Sequence, residues 1–348
     1  MAVIFRDPVY DGAADPTVIR RVSDGRYFMF YTQRRATLEC SGVEWAHGTR
    51  IGVAVCDGMP FGDGEGNDPS VSNGAALPDS SPCAGEPGRS MIAPAKTGCA
   101  GGGDTSSVTA DAVTPSPQGE GFRTCDARPC GTGCDGGWRY IGTAELPFVE
   151  GKTTYWAPEV IFDGESYRIF VSSVDGVYAD WAGSAEILQF VSPDLEKWTP
   201  CGAVPIDSAR VIDACAFPLP SGGWRLWYKD EKRGSHTFYI DTSDFREWRP
   251  GGEATSDTDQ EGPNVFAFGG RYRLIADVWK GQAVYVSDDL TRFERQEGTL
   301  LPGEAYHADV FVEGGRAWMV YFTYPEGDRR SAVCVRELKE ENGELTLA

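Results

Sequence analysis

Five short segments of this chain repeat one pattern, in which a turn glycine is followed by a strand rich in aromatic and β-branched residues. The glycines of the five segments are Gly25, Gly164, Gly223, Gly270 and Gly315. A second apolar segment precedes each glycine, at residues 17–22, 159–162, 214–219, 264–268 and 309–312. The last three intervals between the glycines are 59, 47 and 45 residues. Pairs of strands repeated at such intervals indicate an all-β protein built from similar units.

Three of the repeats continue with a second shared motif, a hydroxyl residue followed two positions later by aspartate. The motif occurs at Ser192–Trp198, Thr242–Trp248 and Ser287–Phe293. We interpret it as the turn between a third and a fourth strand. A unit of four strands and roughly 45–60 residues is a propeller blade. The sequence therefore predicts a five-bladed β-propeller, with four-stranded blades around a central axis.

The first interval is longer because residues 57–136 interrupt blade 1. Without these 80 residues the interval falls from 139 to 59 residues. The segment contains 16 Gly, 9 Pro and 5 Cys, and its only aromatic residues are Phe61 and Phe122. Such a composition buries too little apolar surface to offset the entropy of ordering the chain. We predict a low-complexity, disordered insertion between strands at 51–55 and 138–142, within a single propeller domain that spans residues 1–348.

The charge balance excludes several kinds of partner. With 32 Lys and Arg against 52 Asp and Glu, the formal net charge is −20. Nucleic acids require clustered cations, so we expect no nucleic-acid partner. No apolar run approaches the roughly 18–20 residues of a membrane span, and the N-terminal segment reaches its first charge at Arg6 without a secretory apolar region. We expect a cytoplasmic, monomeric protein without a membrane partner.

An ionisable residue lies at the start of the innermost strand of every predicted blade. These residues are Asp15, Glu159, Asp213, Glu261 and His307. The innermost strands of a propeller converge on its axis, so we expect the five side chains to face one another. Carboxylates gathered in this way repel one another and lose hydration. That cost favours a functional site over a structural one.

Four segments at these blade starts resemble motifs of glycoside hydrolase family 43. The segments are Asp7–Ile19, Trp156–Glu159, Ile212–Ala214 and Glu261–Pro263, in the order and register of the repeat. The resemblance covers all five blades and excludes residues 57–136. It implies an enzyme that hydrolyses glycosidic bonds with inversion of configuration. The implied substrates are arabinofuranosyl or xylosyl oligosaccharides and polysaccharides.

The resemblance also implies a catalytic role for three of the acidic residues. Asp15 would be the general base that activates water, and Glu261 the general acid that protonates the leaving oxygen. Asp213 would control the pKa and the orientation of that acid. The reaction needs both groups, because a glycosidic oxygen leaves poorly unless it is protonated and water attacks poorly unless it is deprotonated. Asp7 and Asp11 are the alternatives for the base.

Other residues are implied to bind the sugar or an ion. Trp156, Glu159, Trp279 and His307 are the predicted substrate-binding residues, because aromatic faces stack on sugar rings and polar groups bind hydroxyls. The family often places a histidine at the axis. The resemblance therefore implies that His307 helps to hold a structural calcium ion there through water, with Asp309 as a second candidate for this task. The reaction itself requires no cofactor.

Other activities share the predicted fold. Families 32, 68, 117 and 130 include retaining fructosidases, transferases, anhydrogalactosidases and phosphorylases, and a propeller that binds sugar without catalysis is a further alternative. A fructosidase would need an Asn-Asp-Pro setting for its nucleophile and an Arg-Asp-Pro in blade 3, whereas Arg6–Pro8 lies at the other end of the chain. A phosphorylase would need a cluster of cations for phosphate, and none stands out in the sequence.

Overall fold

Strands make up almost all of the regular structure in the computed structural model, which describes residues 3–62, 137–303 and 305–348. One short 3₁₀ helix, η1 (Glu44–Ala46), is the only helix in these residues. No helix in the same part of the chain has the length and apolar character needed to cross a membrane. The strands are β1 (Val3–Phe5), β2 (Ala13–Arg20), β3 (Tyr27–Gln33), β4 (Arg50–Cys56), β5 (Arg139–Thr143), β6 (Thr153–Phe162), β7 (Tyr167–Asp175), β8 (Ala185–Ser192), β9 (Thr199–Ala203), β10 (Val211–Pro218), β11 (Trp224–Asp230), β12 (His236–Thr242), β13 (Trp248–Thr255), β14 (Glu261–Phe268), β15 (Arg271–Asp277), β16 (Gln282–Ser287), β17 (Glu294–Arg295), β18 (Tyr306–Glu313), β19 (Arg316–Thr323), β20 (Ala332–Glu341) and β21 (Glu344–Leu347).

The strands form five antiparallel sheets. Four sheets follow the chain as β2–β5, β6–β9, β10–β13 and β14–β17, and the fifth runs β18, β19, β20 and β1, with β21 also paired to β20. The first strands of neighbouring sheets contact one another in a closed ring of β2, β6, β10, β14 and β18. The fold is therefore a five-bladed β-propeller with four-stranded blades. The predicted fold class is confirmed.

The N-terminal strand completes blade 5, which the sequence analysis did not anticipate. Strand β1 pairs with β20 through Val3↔Cys334 and Phe5↔Val333, so blade 5 takes a strand from the start of the chain. The Phe5 ring also lies 5.1 Å from the ring of Tyr31 in blade 1. A strand of three residues is too short to show the alternation that marks longer strands in a sequence.

Apolar side chains hold each blade to the next one. Between blades 1 and 2, Phe28 and Phe30 of β3 belong to one cluster with Tyr155 of β6 and Ile169 of β7. None of these four residues is more than 4% exposed. Burial of one such side chain contributes about 1.5–3 kcal/mol. The strands that follow the turn glycines thus contribute to the packing between blades 1 and 2.

The predicted insertion falls between β4 and β5, which match the predicted third and fourth strands of blade 1. Residues 57–62 at its start are described, and Phe61 is 1% exposed. The Phe61 ring packs against Trp138, Phe311 and Trp318 at centroid distances of 5.9–6.4 Å. This contact anchors the start of the segment to blades 1 and 5. The rest of the predicted insertion, residues 63–136, lies outside the described residues.

Candidate active site

The first strands of the blades begin earlier than the sequence analysis predicted. They begin at Ala13, Thr153, Val211, Glu261 and Tyr306. In each blade the register between the first and second strands shifts once near this start, as a β-bulge does. The predicted strands began after the bulge, because dipeptides such as Asp-Pro and Gly-Pro are typical of turns. The bulges therefore lie inside the strands, at the level of the predicted acids.

One backbone position of the bulge is left-handed in four of the five blades. Its residues are Asp15, Ala157, Asp213 and Gly262, with φ angles of 49°, 45°, 60° and 57°. A non-glycine residue in this region is strained by roughly 1–3 kcal/mol, and such strain clusters at functional sites. Bulges also change the direction of side chains. Here the bulges bring the side chains of Asp15 and Asp213 together.

Asp15 and Asp213 meet at the ring of His307. The Nδ1 atom of His307 lies 3.7 Å from Oδ1 of Asp15 and 3.9 Å from Oδ1 of Asp213. The side chains of both aspartates are 7% exposed, and that of His307 is 16% exposed. Gly262 makes room for the imidazole, because a Cβ atom at this position would lie 2.7 Å from Cγ of His307. Three of the predicted site residues thus form one axial cluster.

Asp213 links the axial cluster to Glu261. The N–H of Asp213 donates to Oγ of Ser172 at 2.9 Å, and Oδ2 of Asp213 accepts the N–H of Gly262 at 3.0 Å. Because Gly262 directly follows Glu261, this bond fixes the backbone that carries Glu261. Burial raises the pKa of Asp213 to about 6, against the opposing charge of His307 and with the support of Glu261.

Glu261 is the most accessible of the three predicted catalytic carboxyls, with 29% of its side chain exposed. Lys229 donates from Nζ to Oε2 of Glu261 at 3.1 Å and to Oε1 of Glu231 at 3.1 Å. The Lys229 side chain is only 4% exposed. Burial by itself would lower the pKa of Lys229, but the surrounding carboxylates outweigh burial and raise it. Glu261 therefore faces a buried ammonium group.

Asp277 is a further carboxyl beside Glu261, and it is fully buried. The two residues are strand partners in β14 and β15. Oδ2 of Asp277 accepts the N–H of His307 at 3.2 Å, and Oδ1 accepts the N–H of Trp279 at 2.7 Å. Burial, followed by the charge of Glu261, raises the pKa of Asp277 to about 7. Asp277 thus positions residues on two sides of the site.

Arg34 supplies a second cation, next to Asp15. Its Nη2 lies 3.6 Å from Oδ1 of Asp15, and its Nη1 donates to Oη of Tyr324 at 2.7 Å. The guanidinium carbon lies 4.8 Å from the ring centroid of Phe322 and 5.7 Å from that of Trp45. Guanidinium groups stack well on aromatic rings. The stacking holds the charge of Arg34 in a defined position beside Asp15.

Sequence reasoning missed Arg34, Lys229 and Asp277, although they share a recognisable position. Each is a charged residue that lies within one position of the last residue of the second strand of its blade. In an antiparallel pair, this end lies beside the start of the first strand, as the pairs Ile212↔Lys229 and Glu261↔Asp277 show. The pairing therefore brings these charges to the same end of the axis as the predicted acids.

The two predicted tryptophans lie in different surroundings. Trp279 is 46% exposed, and Nζ of Lys229 lies 5.4 Å from its ring centroid, so its ring is open at the edge of the site. Trp156 is 7% exposed, and its Nε1 donates to the carbonyl oxygen of Ala46 in η1 at 2.6 Å. Trp156 also packs edge-on against the ring of His47. It therefore supports η1 and does not present an open face.

Glu159 lies two residues beyond the bulge position and contacts the next blade. Its Oε1 accepts the N–H of Ala216 at 3.0 Å. Asp309 makes the equivalent contact from blade 5 to blade 1, where it accepts the N–H of Val18 at 2.9 Å. Burial raises the pKa of both carboxyls. Glu159 and Asp309 thus form hydrogen bonds between neighbouring blades and do not join the predicted catalytic carboxyls.

The two alternatives for the base are held in the N-terminal segment. Asp7 accepts hydrogen bonds from Oη of Tyr31 at 2.5 Å and from Nε2 of Gln33 at 2.9 Å, and its other oxygen accepts two backbone N–H groups. Asp11 forms an ion pair with Arg6 at 3.3 Å. These bonds occupy both oxygens of Asp7 and tie Asp11 to an arginine of its own segment.

The axial cluster of Asp15, Asp213 and His307 offers few ligands for the calcium ion that the resemblance implies. Calcium takes six to eight oxygen ligands at about 2.3–2.6 Å. Within residues 3–62, 137–303 and 305–348, no group of three or more His, Cys, Asp or Glu side chains is arranged to hold a metal ion. His307 instead turns Nδ1 towards Asp15 and Asp213. These residues do not form a calcium site by themselves, and the ion stays a prediction.

The site offers carboxyl groups in unlike surroundings. Asp15 is buried beside the guanidinium of Arg34 and the imidazole of His307. Glu261 is more open and is hydrogen-bonded to one ammonium group. Two carboxyls in different environments can serve as proton acceptor and proton donor in the same reaction. The geometry is therefore suited to general acid–base chemistry.

The chain matches no protein-family model and no curated protein sequence. Its fold is similar to that of a thermostable family-43 glycoside hydrolase, with a TM-score of 0.61 and 15% identity over 100% of this chain and 96% of the other. A β-xylosidase structure gives a TM-score of 0.58 and 11% identity over 97% of this chain and 95% of its own. A family-32 β-fructofuranosidase of Bombyx mori gives 0.59 and 11% over 99% of this chain and 64% of its own. At these identities the likeness establishes a common propeller fold.

Proposed function

We propose that the protein is a glycoside hydrolase that cleaves glycosidic bonds with inversion of configuration. The observation that carries the proposal is the placement of Asp15 and Glu261, two carboxyls in unlike surroundings at one end of the propeller axis. The fold shared with glycosidases of families 43 and 32 supports it. The blade motifs and the similarity to a β-xylosidase favour arabinofuranosyl or xylosyl substrates.

In the proposed reaction, Asp15 acts as the general base. Its carboxylate removes a proton from a water molecule, and the oxygen of that water attacks the anomeric carbon of the sugar. The bond from this carbon to the leaving oxygen breaks, and Glu261 gives its proton to that oxygen. One proton is thus taken up at Asp15 and one is released at Glu261. Arg34 holds Asp15 in place from 3.6 Å during the exchange.

Lys229 would hold Glu261 in place when Glu261 is a carboxylate, and would keep a charged partner when Glu261 is protonated. The ammonium group binds Glu261 when Glu261 is a carboxylate, which is the contact seen at 3.1 Å. When Glu261 carries the proton that it donates, Lys229 retains Glu231 as a partner at 3.1 Å. A buried charge without a partner would be destabilising by roughly 3–5 kcal/mol. The second carboxylate therefore allows Glu261 to alternate between the two states.

A panel of aryl glycosides tests the proposal. We expect hydrolysis of arabinosides or xylosides, rather than of galactosides or fructosides. Proton NMR of the first product should show the anomeric configuration opposite to that of the substrate. Asp15→Asn should lower kcat by about 10²–10⁴-fold on every substrate, the range of general acid–base catalysis. Glu261→Gln should lower kcat far more for poor leaving groups than for activated aryl groups.

Asp11→Asn is the matched control, because it removes a carboxylate that forms an ion pair with Arg6 in the N-terminal segment. Its kcat should stay within about twofold of the wild type, since ion pairs that are partly open to solvent contribute little. Retained configuration in the first product would instead indicate fructosidase-like chemistry. A requirement for phosphate would indicate a phosphorylase, and sugar binding without turnover a non-catalytic propeller. Normal activity of Asp15→Asn would exclude Asp15 as the base.

A further inference from the structure

A groove with a volume of about 540 Å³ opens beside the axial cluster. Its walls come from η1, from the start of β18, and from the end of β19 with the segment after it. The lining includes Trp45, Tyr306, Tyr324 and Arg329. Small-molecule sites in proteins have volumes of about 300–1,000 Å³. The groove is therefore large enough to hold a sugar unit.

Three half-buried aromatic side chains line the groove, namely Trp45, Tyr306 and Tyr324. The rings of Tyr306 and Tyr324 lie 5.3 Å apart at an angle of 67°. Tyr306 also stacks on Phe322, with a centroid distance of 5.5 Å. Aromatic residues of this kind combine a flat apolar face with a polar group at its edge. Such surfaces match a sugar ring, which has apolar C–H faces and hydroxyl groups around its rim.

The groove is connected to Asp15 by a single side chain, Arg34. One arm of the Arg34 guanidinium donates to Oη of Tyr324 at 2.7 Å, and the other arm lies 3.6 Å from Asp15. The same guanidinium lies 5.7 Å from the ring centroid of Trp45. A ligand at Asp15 that extends past Arg34 would therefore enter the groove.

Hydrogen bonds hold the walls of the groove in place. Arg329 binds the carbonyl oxygen of Leu38 and the Sγ atom of Cys40, which ties the segment after β19 to the loop before η1. Arg35 binds the carbonyl oxygens of Glu44 and His47 at 2.8 Å and 2.7 Å, which fixes η1. Walls that are already ordered reduce the entropy lost when a ligand binds. These bonds favour a preformed site.

We propose that this groove binds a second sugar unit, next to the unit whose anomeric carbon is attacked. The preferred substrate would then be an oligosaccharide or polysaccharide rather than a single sugar on a small leaving group. The inference rests on the proposed function. Trp45 and Tyr306 would contact the faces of this second unit, and Arg34 would separate it from the proposed base.

The test compares kcat/KM for a trisaccharide with kcat/KM for the aryl glycoside of the same sugar. In the wild type, the trisaccharide should have the lower KM, because it fills the groove, whereas the activated aryl group favours kcat. Trp45→Ala should lower the ratio of the two values by about tenfold, the size expected when one stacked ring is lost. Trp45→Phe should keep most of the ratio, because it retains an aromatic face, and it also guards against a folding defect in the alanine variant.

Trp248→Ala is the matched control. Trp248 is a half-buried tryptophan that lines a different cavity, formed by outer strands of blades 2 and 3. Its loss should leave the ratio unchanged even if stability falls. An unchanged ratio in Trp45→Ala would overturn the inference, and so would a wild-type KM that is no lower for the trisaccharide than for the aryl glycoside.

Calorimetry separates this inference from the proposed function. The trisaccharide should bind to the Asp15→Asn variant without being cleaved. In the double variant that also carries Trp45→Ala, the Kd for the trisaccharide should be about tenfold higher. If the wild type cleaves no glycoside but calorimetry gives this result, the proposed function fails and the sugar groove stands. If cleavage occurs and the Kd is unaffected by Trp45→Ala, the groove proposal fails alone.

Discussion

In the outer turns of the blades both the backbone and the side chains repeat, whereas in the inner bulges only the backbone conformation repeats. In the outer turn of blade 2, Ser192 and Asp194 accept backbone N–H groups at 2.9 Å. Blades 3 and 4 form the same contacts with Thr242, Asp244, Ser287 and Asp289. The side chains repeat there because each one stabilises its own turn.

At the inner bulges the backbone repeats but the side chains do not. Four blades share the left-handed position, and it is occupied by Asp15, Ala157, Asp213 and Gly262. Two of the four side chains, those of Asp15 and Asp213, face the His307 ring of blade 5. In a repeat protein, therefore, residues that vary at a shared backbone position are the better candidates for function. The following changes test this contrast between bulge and turn.

The largest effect in this comparison should come from Gly262→Ala. The added Cβ would meet the His307 ring at 2.7 Å and would lie on a backbone with φ of +57°. We expect a loss of about 1–3 kcal/mol in the free energy of unfolding from strain and overpacking. Displacement of His307 from Asp15 and Asp213 should lower kcat by about 100-fold, since small misplacements in a site are that harmful. Urea unfolding and steady-state kinetics measure the two effects.

Gly270→Ala is the control for this change. Gly270 has a similar φ of +75°, but an added Cβ would have no neighbour within 4 Å. This variant should show the backbone strain without the loss of kcat. If both glycine variants lose activity equally, then strain in the fold rather than the position of His307 determines the rate.

Asp213→Asn should have a smaller effect on rate and a distinctive effect on pH dependence. The pKa of Asp213 is about 6 in the folded protein and about 3.9 in an unfolded chain. Between these values the folded state holds a proton that the unfolded state has released. Raising the pH from about 4 to about 6 therefore lowers the free energy of unfolding. The asparagine variant lacks this dependence, so its Tm should rise relative to the wild type over that range.

The rate of the same variant tests the link from Asp213 to the acid. We expect kcat to fall by about tenfold and any limb of the pH–rate profile near pH 6 to disappear. Asp194→Asn is the control in an outer turn, where hydrogen bonding holds the pKa of the carboxyl below its usual range despite some burial. It should leave both the Tm difference between pH 5 and 7 and the pH–rate profile unchanged, because its carboxyl takes up a proton only below about pH 5. A normal profile in Asp213→Asn would limit its role to holding Gly262.

The contrast also explains how far the sequence could predict this molecule. Repeated features were found correctly, including the five blades and the strands that flank the insertion, because each copy reinforced the others. Features without a visible sequence pattern, or whose position depends on strand pairing, were missed. Strand β1 is too short to show a pattern, and Arg34 and Asp277 reach the site only through strand pairing. We predicted that Glu159 lies at the same blade-start position as Asp15. In the structure Ala157 has the bulge position of blade 2, and Glu159 lies two residues further on, in contact with Ala216.

The smallest effect should come from an outer turn. In blade 4, Oδ1 of Asp289 accepts the N–H groups of Thr291 and Arg292 at 2.8 Å and 3.0 Å. These bonds lower the pKa of Asp289, so the stability that the carboxylate contributes is present above its unfolded pKa and is lost as the pH falls below it. Asp289→Ala should lower the free energy of unfolding at pH 7 by about 0.5–1 kcal/mol, because the turn is exposed and its N–H groups can bind water. The change should be measurable by urea unfolding at pH 7 and should shrink at pH 3. It should leave kcat unaltered, since the turn is made of outer strands and contributes nothing to the axial cluster. A loss of kcat in this variant would mean that the outer turns also shape the site, and the distinction between repeated and varied positions would not hold.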